Sequence, residues 1–291
     1  MKPSVFDYRR AGSLAEAFAL FAESEGEGQY LAGGHSLMPS MALRLQAPGL
    51  LIDISRLPEL QGISAGPEGL RIGALTPHAT ILSDPLVAGH APLLAEAAVH
   101  VAHPAIRNRA TFGGNLVLAD PASEFPAVVR VLRAELDIVG PEGERVVNAD
   151  DFFLDLYTTA LEPGEILRSV RISPRRPGTA QAFGELARRK GDFAMVGAAI
   201  QVRIDEGRYQ DVDICFHSVG LTPERASHAE DALRGTRPGP EAVRAAQAAL
   251  DHDLAPGDDP VLPAEVRMHL ARVLLGRLLA RISTVHQEEA A

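Results

Sequence analysis

Two glycine-centred stretches carry most of the information in this sequence: Leu31-Ala32-Gly33-Gly34-His35-Ser36-Leu37 and Thr111-Phe112-Gly113-Gly114-Asn115-Leu116. Each places bare backbone between apolar residues and a small polar side chain. Paired glycines let backbone N–H groups approach a diphosphate without interference from Cβ atoms, and they tolerate positive φ angles. The two stretches therefore predict the two halves of a nucleotide cradle. In the first half, the N–H groups of residues 33–36 and the Ser36 hydroxyl would hold the diphosphate.

Neither stretch matches the common nucleotide-binding motifs. The sequence has no GxxxxGK[ST] loop and no GxGxxG that opens a helix. Paired glycines also occur as ordinary turn residues, so a tight strand-to-helix turn is the alternative interpretation of the first stretch. The second stretch, together with a resemblance to a known protein family, favours the cradle.

Composition limits the classes of protein to consider. With 291 residues, of which 46% are hydrophobic, the chain is long enough for two domains. A net charge of −10 with scattered basic residues argues against a nucleic-acid partner. The single cysteine, Cys215, excludes an intrachain disulfide and a cysteine-ligated iron–sulfur cluster, and we expect it to be a small buried hydrophobe.

No targeting or membrane segment is predicted. The N-terminus lacks the apolar core of a signal peptide, and no stretch approaches the ~20 apolar residues needed to span a bilayer. We therefore expect a cytoplasmic protein. The pair His100 and His103 has helical spacing, but no third ligand lies nearby in the sequence and Pro104 ends the helix, so we expect no metal site.

The first part of the chain is predicted to mix helices and strands. Ser13-Leu-Ala-Glu16 is a capping box, which predicts a helix to about Ser24. Short apolar or alternating runs predict strands over 29–32, 50–54, 70–75 and 166–172, and a hairpin of 135–139 with 145–147. Helices are predicted over 92–101 and 123–132.

The prolines and charges of Ser173-Pro-Arg-Arg-Pro-Gly178 predict a linker, so we divide the chain into domains 1–176 and 177–291. Three strands are predicted beyond the linker, over 182–189, 196–204 and 209–219. Thr222-Pro-Glu predicts the start of a helix, with a capping residue before proline. Further helices are predicted over 240–250 and 263–282, the last with Val266, Leu270, Leu274 and Leu278 on one apolar stripe. The C-terminal domain is thus predicted to be α+β, with a three-stranded antiparallel sheet and helices.

Segments spread along nearly the whole chain resemble one protein family. They are Lys2-Pro-Ser-Val-Phe-Asp-Tyr8, Ala32-Gly-Gly-His-Ser-Leu-Met-Pro39 with Arg44, His103-Pro-Ala-Ile-Arg-Asn-Arg109, the second glycine stretch, Ala119-Asp-Pro-Ala-Ser-Glu-Phe-Pro126, Leu161-Glu-Pro-Gly-Glu-Ile-Leu167 and Arg188-Arg-Lys-Gly-Asp-Phe-Ala-Met-Val196. In order and spacing they resemble the FAD-binding medium subunit of the molybdenum hydroxylases, the family of aerobic carbon monoxide dehydrogenase and xanthine dehydrogenase. A single Gly-Gly-His-Ser would be weak support, whereas this many segments in order are specific.

The resemblance implies a fold and a cofactor. The fold is α+β: a vanillyl-alcohol-oxidase-like (PCMH-type) FAD-binding domain followed by a smaller C-terminal domain of the CO dehydrogenase flavoprotein kind. The cofactor is non-covalent FAD, and the implied cofactor-binding residues are Tyr30, Leu31, Ala32, Gly33, Gly34, His35, Ser36, Leu37, Thr111, Phe112, Gly113, Gly114, Asn115, Glu124, Leu167 and Phe193. Glu124 would face ribityl or ribose hydroxyls, and Leu167 would make a backbone contact. No catalytic side chain and no metal ligand is implied on this chain.

Several of these residues have alternative interpretations. Gly-Gly-His also occurs where some related oxidases attach FAD covalently through histidine, although we expect His35 to hydrogen-bond or pack. Relatives carry lysine and tyrosine at the positions that we align with Gly184 and Phe193. Phe193 would shield the flavin ring or lie in the core. Glu124 alone would fit a charge at a helix N-terminus. Arg107 and Arg109 would lie beside the diphosphate or at a partner interface, and the basic run 188–190 would be a solvated edge or support the cofactor.

The resemblance also implies a role in a complex. A large molybdenum subunit would oxidise the substrate, a small subunit with two [2Fe-2S] clusters would relay electrons, and this chain's FAD would pass them to an external acceptor. The molybdenum cofactor and the clusters are expected only on partner subunits, assembled with this chain as a dimer of heterotrimers. The alternatives are a stand-alone FAD oxidase and an assembly subunit that has lost its flavin. The sequence does not identify the substrate or the electron acceptor.

Overall fold

The structure is a computed structural model that describes residues 2–258 and 262–289, the last five of these as backbone only. The strands are β1 (Asp7–Arg10), β2 (Gly28–Leu31), β3 (Leu50–Asp53), β4 (Ile63–Gly66), β5 (Gly69–Gly73), β6 (Glu135–Gly140), β7 (Gly143–Asn148), β8 (Phe153–Asp155), β9 (Thr158–Thr159), β10 (Ile166–Ile172), β11 (Thr179–Leu186), β12 (Val196–Asp205), β13 (Arg208–His217) and β14 (Glu224–Arg225). The helices are α1 (Leu14–Glu23), α2 (Leu37–Ala42), α3 (His78–Ser83), α4 (Pro85–His90), α5 (Pro92–Ala98), α6 (Pro104–Arg107), α7 (Phe112–Leu118), α8 (Glu124–Val131), α9 (Ala149–Phe152), α10 (Ser227–Leu233), α11 (Pro240–Asp253) and α12 (Ala264–Glu289), with a single 3₁₀ turn at Pro58–Leu60.

Three larger sheets organise the described residues, and β8 and β9 pair as a fourth, two-stranded sheet. A parallel three-stranded sheet has the order β1-β3-β2, and an antiparallel five-stranded sheet has the order β4-β5-β10-β6-β7. The third sheet, β11-β12-β13-β14, is antiparallel and follows the predicted linker. The α+β fold class is confirmed, and every predicted strand is present with shifts of a few residues at its ends.

The capping box before α1 is confirmed in a modified form. Ser13 Oγ accepts a hydrogen bond from the Glu16 N–H at 3.2 Å. The Glu16 carboxylate reaches back one residue further than the motif requires and accepts from the Gly12 N–H at 2.7 Å. This ties the end of β1 to the start of α1.

The third sheet is buried on both faces, which is how the two halves of the molecule are joined. On β12 and β13, Ile200, Ile214 and Phe216 belong to the core formed with α10–α12. Their neighbours Ala199 and Cys215 point the other way, with Phe183 of β11, into the core formed by the five-stranded sheet and α3–α8. Side chains alternate between the faces of a strand, so one sheet serves two cores. The expectation that Cys215 is buried is confirmed.

Ion pairs at the edge of the third sheet connect it to helices of both halves of the molecule. Arg133, at the end of α8, donates two hydrogen bonds to Asp213 Oδ1 of β13, at 3.0 and 2.8 Å. Arg225 contacts Asp213 as well, and its guanidinium also reaches Glu230 of α10 at 3.1 Å and Asp150 of α9 at 3.3 Å. Asp213 and Glu230 are buried.

Two details differ from the sequence-based expectations. Thr222-Pro-Glu does not begin a helix: Glu224 and Arg225 form the short strand β14, and the helix starts at Ser227. The C-terminal sheet therefore has a fourth, two-residue strand beside the three predicted ones. On α12, Val266 is 42% exposed, while Leu274 and Leu278 are buried together with Ala271, Leu275, Leu279 and Ile282, so the core stripe lies further along the helix. Within the described part of the chain, no helix is both long and apolar enough to cross a bilayer.

Candidate cofactor-binding site

The fold brings the two glycine stretches together. The first connects β2 to α2, and the second begins α7. A Cβ atom added to Gly33 would lie 2.3 Å from the carbonyl oxygen of Arg109, two residues before the second stretch. A Cβ atom added to Gly114 would lie 3.9 Å from the Cβ of Ala32. Gly33 is therefore required for the close approach, and the two stretches line one site.

Backbone donors are available in the first stretch. The N–H groups of residues 33–36 donate to no other group in the described ranges. The carbonyls of Gly34 and Ser36, by contrast, accept from the N–H groups of Met38 and Ser40 in α2, both at 3.1 Å. Gly34 has φ +75°, which favours glycine. Four successive N–H groups without an intrachain partner can hold an anion. The strand-to-helix turn between β2 and α2 is thus also present, and the turn itself leaves these N–H groups unbonded.

The second stretch uses its donors internally. Phe112 and Gly113 donate to the carbonyl oxygens of Thr76 and Ala74, at 2.8 and 2.7 Å. Gly114 donates to Thr111 Oγ1 at 3.2 Å, and the N–H of Asn115 donates to the Thr111 carbonyl at 3.0 Å. The N–H groups of residues 112–115 are therefore bonded within the chain, unlike those of residues 33–36. The second stretch forms a wall of the site, and a Cβ at Gly113 would collide with Ala74 at 2.4 Å.

Buried polar atoms without partners cluster around both stretches. In the described residues, His35 Nε2, Thr76 Oγ1, Asn115 Oδ1 and both ring nitrogens of His78 are buried without a hydrogen bond. Burial lowers the pKa of His78 to about 4, so its imidazole is neutral at physiological pH. Unsatisfied buried polar groups are rare, because each costs about 1–3 kcal/mol. Their concentration here indicates that a polar ligand completes the site.

Sequence reasoning missed Thr76 and His78. The Thr76 carbonyl accepts from Phe112, and the His78 N–H donates to the Ala110 carbonyl at 3.1 Å, so the run Thr76-Pro-His78 lies along the second stretch. The available signal was a polar run directly after the predicted strand that ends near residue 75.

Glu124 lies beside the second stretch. It is the first residue of α8 and is 8% exposed. The preceding residue, Ser123, accepts a hydrogen bond from Asn115 Nδ2 at 3.1 Å. Burial raises the pKa of Glu124 to about 7. Both interpretations from the sequence, a helix N-terminal charge and a site residue, are compatible with this position.

The side chains of three implied residues, Tyr30, Leu167 and Phe193, lie in different surroundings. The Tyr30 ring stacks on Phe21 with a centroid separation of 5.3 Å, and its hydroxyl donates to the Gly164 carbonyl at 3.1 Å. Leu167 is buried in the core of the five-stranded sheet and pairs with Ile138. The side chains of Tyr30 and Leu167 are therefore engaged in contacts within the chain. Phe193 is 70% exposed, so the alternative that it is a core residue is wrong.

The loop that carries Phe193 connects β11 and β12 and touches the first domain. A Cβ at Gly191 would lie 2.4 Å from the His103 ring, which precedes α6. Phe193 lines a cavity of about 520 Å³ together with Arg188, Asp192, Met195 and Arg267. The loop thus places an exposed aromatic ring near the segment that leads into the second glycine stretch.

Other residues weighed from the sequence have structural roles. Arg107 donates to the carbonyls of Val101 and Ala102, at 2.8 and 2.9 Å, which holds the turn after α5. A side chain at Gly184 would meet Leu278 of α12 at 3.0 Å, so this position faces the C-terminal core. His100 bonds Glu185 at 3.2 Å. Among the described residues, no three His, Cys, Asp or Glu side chains form a potential metal site.

These donors fit the FAD that the resemblance implies. Free N–H groups in the first stretch suit an anionic diphosphate, which carries no donors of its own. The unpartnered atoms of Thr76, His78 and Asn115 suit the hydroxyl, amide and ring-nitrogen groups of a dinucleotide.

Comparisons with known proteins agree along the whole chain. A family model described as the FAD binding domain in molybdopterin dehydrogenase matches residues 4–175, and one described as the CO dehydrogenase flavoprotein C-terminal domain matches residues 181–282. The chain is 36% identical to the carbon monoxide dehydrogenase medium chain of Afipia carboxidovorans, over 97% of this chain and 98% of that one. Two solved structures are similar over 98% of this chain and 99% of theirs: carbon monoxide dehydrogenase from Hydrogenophaga pseudoflava (38% identity, TM-score 0.95) and quinoline 2-oxidoreductase from Pseudomonas putida 86 (35%, 0.93).

Proposed function

The chain belongs to the family of FAD-binding medium subunits of molybdenum hydroxylase complexes, and we propose that it takes electrons from [2Fe-2S] clusters of a partner subunit and passes them to an external acceptor. It is thus an oxidoreductase subunit with an FAD-binding domain. The bound flavin supplies the chemistry, because it can accept electrons singly and release them in pairs.

One observation supports this proposal most strongly. The N–H groups of residues 33–36 donate to no described group, and the nearby side chains of Thr76, His78 and Asn115 carry buried atoms without hydrogen bonds. A chain that had lost its flavin would have no reason to retain this group of unsatisfied donors and acceptors around the two glycine stretches.

Different residues of the site would contact different parts of FAD. Residues 31–37 would bind the diphosphate through backbone N–H groups and the Ser36 hydroxyl. Residues 111–115 would form the opposite wall, and Tyr30 and Leu167 would contribute backbone contacts. Glu124 would bond a hydroxyl group, while exposed Phe193 would shield the flavin ring from water. No side chain need act as acid, base or nucleophile.

The composition of the complex belongs to the same proposal. A small iron–sulfur subunit and a large molybdenum subunit would bind this chain, as a dimer of heterotrimers. The single cysteine supports a separate cluster subunit, since clusters require several thiolates. We also propose that the FAD-binding domain ends near residue 176; the intervals matched by the two family models, 4–175 and 181–282, support this division. A cytoplasmic location remains a prediction.

The substrate would be bound by a partner. Relatives of nearly equal identity carry names that refer to carbon monoxide and to quinoline. Since chains this similar serve different substrates, we infer that this subunit does not select the substrate.

Anaerobic spectroscopy tests the electron-relay role. The isolated chain with FAD should be bleached by dithionite but by no hydroxylase substrate. With its small and large subunits added, the same flavin should bleach on substrate addition, and omission of the small subunit should abolish this. Bleaching of the isolated chain by an organic substrate would instead establish a stand-alone oxidase.

Acid precipitation should leave all the flavin in the supernatant, and flavin retained on the polypeptide would show covalent attachment at His35.

A further inference from the structure

The small parallel sheet is incompletely covered by the described part of this chain. Its order is β1-β3-β2, and all four residues of the edge strand β1 are exposed. Ala17 and Leu20 of α1 form a core with Ile52 of β3, but the next helix, α2, has only six residues. Parallel sheets are normally covered on both faces, and an exposed edge strand can pair with another chain. The exposed β1 therefore indicates a surface that another protein covers.

Large apolar side chains are exposed beside β1. We call the segments 2–10 and 38–47 the N-terminal face. Two hydrogen bonds hold these segments side by side: Arg44 Nε donates to the Lys2 carbonyl at 3.5 Å, and the Asp7 N–H donates to the Gly49 carbonyl at 2.8 Å. Exposed apolar surface of this kind marks sites of protein interaction. The exposed apolar residues of the N-terminal face are Val5 (98%), Leu45 (75%), Leu43 (56%), Tyr8 (47%) and Met38 (38%).

The N-terminal face is basic, although the chain as a whole is acidic. The chain has 28 basic and 38 acidic residues, whereas the two segments contain one acidic residue, Asp7, and four basic ones, Lys2, Arg9, Arg10 and Arg44. Arg10 pairs with the buried Asp53 at 3.1 Å, and Lys2, Arg9 and Arg44 are exposed. Opposite charges on two surfaces steer their association and fix which partner binds. The N-terminal face therefore fits an acidic protein surface.

The N-terminal face borders the candidate FAD site. Helix α2 begins at Leu37, the last residue of the first glycine stretch, and the Gly34 carbonyl accepts from the Met38 N–H at 3.1 Å. A Cβ atom added to Gly34 would lie 3.4 Å from Met38 Cγ. A protein bound to this face would therefore lie next to the N–H groups that we propose to hold the FAD diphosphate.

An iron–sulfur subunit has the chemistry that this face requires. A [2Fe-2S] cluster held by four cysteine thiolates is an anion, because two ferric ions carry less charge than two sulfides and four thiolates together. Its negative field favours association with a basic surface. The cluster must also come close to the flavin in order to reduce it. A second copy of this chain fits less well, because a two-fold contact would bring two basic faces together.

Resting on the proposed function, we propose that the N-terminal face binds the small iron–sulfur subunit. The exposed apolar side chains form the centre of the contact, and Lys2, Arg9 and Arg44 pair with carboxylates of the partner at its rim. This contact brings the cluster subunit to the end of the FAD site that is formed by the first glycine stretch.

Zero-length cross-linking tests the proposal in the native complex, because the only lysines of the chain are Lys2 and Lys190. A carbodiimide joins an amine to a carboxylate that touches it. In the complex purified through a C-terminal tag on this chain, Lys2 should be joined to a peptide of the subunit that carries the cysteine-ligated clusters. Lys190, which lies on the loop of Phe193, is the internal control for unselective reaction. A cross-link from Lys2 to the large subunit or to a second copy of this chain would overturn the proposal.

Variants give an independent measurement with the isolated small subunit. Leu45→Glu places a charge in the apolar centre of the contact, and Arg9→Glu turns an attraction at the rim into repulsion. Each should raise the Kd for the small subunit at least about 10-fold, measured by calorimetry. Val146→Glu and Arg175→Glu change exposed residues elsewhere on the surface and should bind like the wild-type chain. All four variants should retain FAD and be reduced by dithionite, which shows that the fold and the flavin site are intact.

Unchanged affinity for the small subunit in Leu45→Glu and Arg9→Glu would refute the proposal. Loss of binding to the large subunit alone would assign the face to that subunit instead. Sedimentation of the wild-type chain, but not of Leu45→Glu, with phosphatidylglycerol vesicles would assign the face to a membrane if both chains bound the small subunit equally. If the wild-type chain binds FAD but co-purifies with no iron–sulfur subunit and binds none, the proposed function itself fails.

Discussion

At the scale of single residues, Gly34 has the most specific backbone requirement in the candidate site. Its φ of +75° turns the chain so that the carbonyl of Gly34 points into α2 and the N–H groups of residues 33–36 remain free. A Cβ atom here would lie 3.3 Å from Leu31 Cδ1 and 3.4 Å from Met38 Cγ, in addition to the strain of the left-handed conformation.

Gly34→Ala should weaken FAD binding. The left-handed conformation costs a non-glycine residue about 1–2 kcal/mol, and moving the loop relieves that strain at the expense of the N–H geometry. We expect the Kd for FAD to rise about 5- to 30-fold, measured by fluorescence titration. Gly26→Ala is the control, since Gly26 has φ +95° in open space away from the site. It should lower stability by a similar amount and leave the Kd unchanged; equal Kd values for both variants would remove Gly34 from the site.

His217 should make the fold sensitive to acid. Burial lowers its folded-state pKa to about 4, below the ordinary value of 6.5, so its contribution to stability is present above pH 6.5 and is lost as the pH falls toward 4. Between about pH 7 and about pH 5 the loss amounts to about 2 kcal/mol. His217→Asn should therefore lose less unfolding free energy over this interval than the wild-type chain, in urea titrations. Exposed His269→Asn should behave like wild type, and an unchanged acid sensitivity of His217→Asn would contradict the prediction.

Sequence reasoning located the donors of the site better than its buried acceptors. The paired glycines at 33–34 are visible in the sequence and indicate a backbone that tolerates positive φ angles. Whether an N–H group is free, however, depends on the atoms that lie opposite it. The carbonyl oxygens of Ala74 and Thr76, which accept hydrogen bonds from the second stretch, come from another part of the chain. His78 could not be identified for the same reason, because nothing local shows that its ring nitrogens are buried and unpartnered.

At the scale of elements, β14 shows how tertiary contacts override a local motif. Thr222-Pro-Glu has the residues of a helix start, but Glu224 and Arg225 pair with Phe216 and Cys215 of β13. In the strand conformation, Arg225 reaches Asp213, Glu230 and Asp150 from three different elements. Elements whose contacts are local, such as α1 and the β12–β13 hairpin, were predictable, while a two-residue strand fixed by distant charges was not.

Arg225→Met should be strongly destabilising. Removing one partner of a buried ion pair costs about 3–5 kcal/mol, and we expect the lower end because Arg133 and Arg234 still neutralise Asp213 and Glu230. The urea midpoint should fall clearly. Arg203→Met removes an arginine with two acidic partners at a solvated edge, Asp211 and Asp205, and should change the midpoint little. Similar midpoints for the two variants would show that the Arg225 cluster does not hold the junction.

At the scale of the whole molecule, one sheet shared by two cores means that the halves are not independent. Phe183, Ala199 and Cys215 fill the core of the first domain from the second. The resemblance implied two consecutive domains but gave no information on this shared packing. The residue pattern of β12 and β13 shows only that both faces of the sheet are apolar, not which core each face enters. The linker at 173–178 is exposed and carries none of these contacts.

Cutting the linker should therefore leave the molecule intact. A site for a sequence-specific protease inserted between Arg175 and Arg176 should be cleaved readily, because both residues are exposed. The two fragments should co-elute in size-exclusion chromatography and keep bound FAD. Fragments that elute separately at low protein concentration would contradict the interdomain packing described above.

The burial of Cys215 in the shared face gives this chain an internal reporter of motion. Cys215 is the only cysteine in the sequence, and burial raises the pKa of its thiol to about 12. A thiol reagent can therefore react only during the moments when the sheet has separated from the first domain or the fold has opened. Under native conditions, the rate of covalent modification measures how often such openings occur. The effect of FAD or of a partner subunit on that rate would measure how strongly each one holds the halves together.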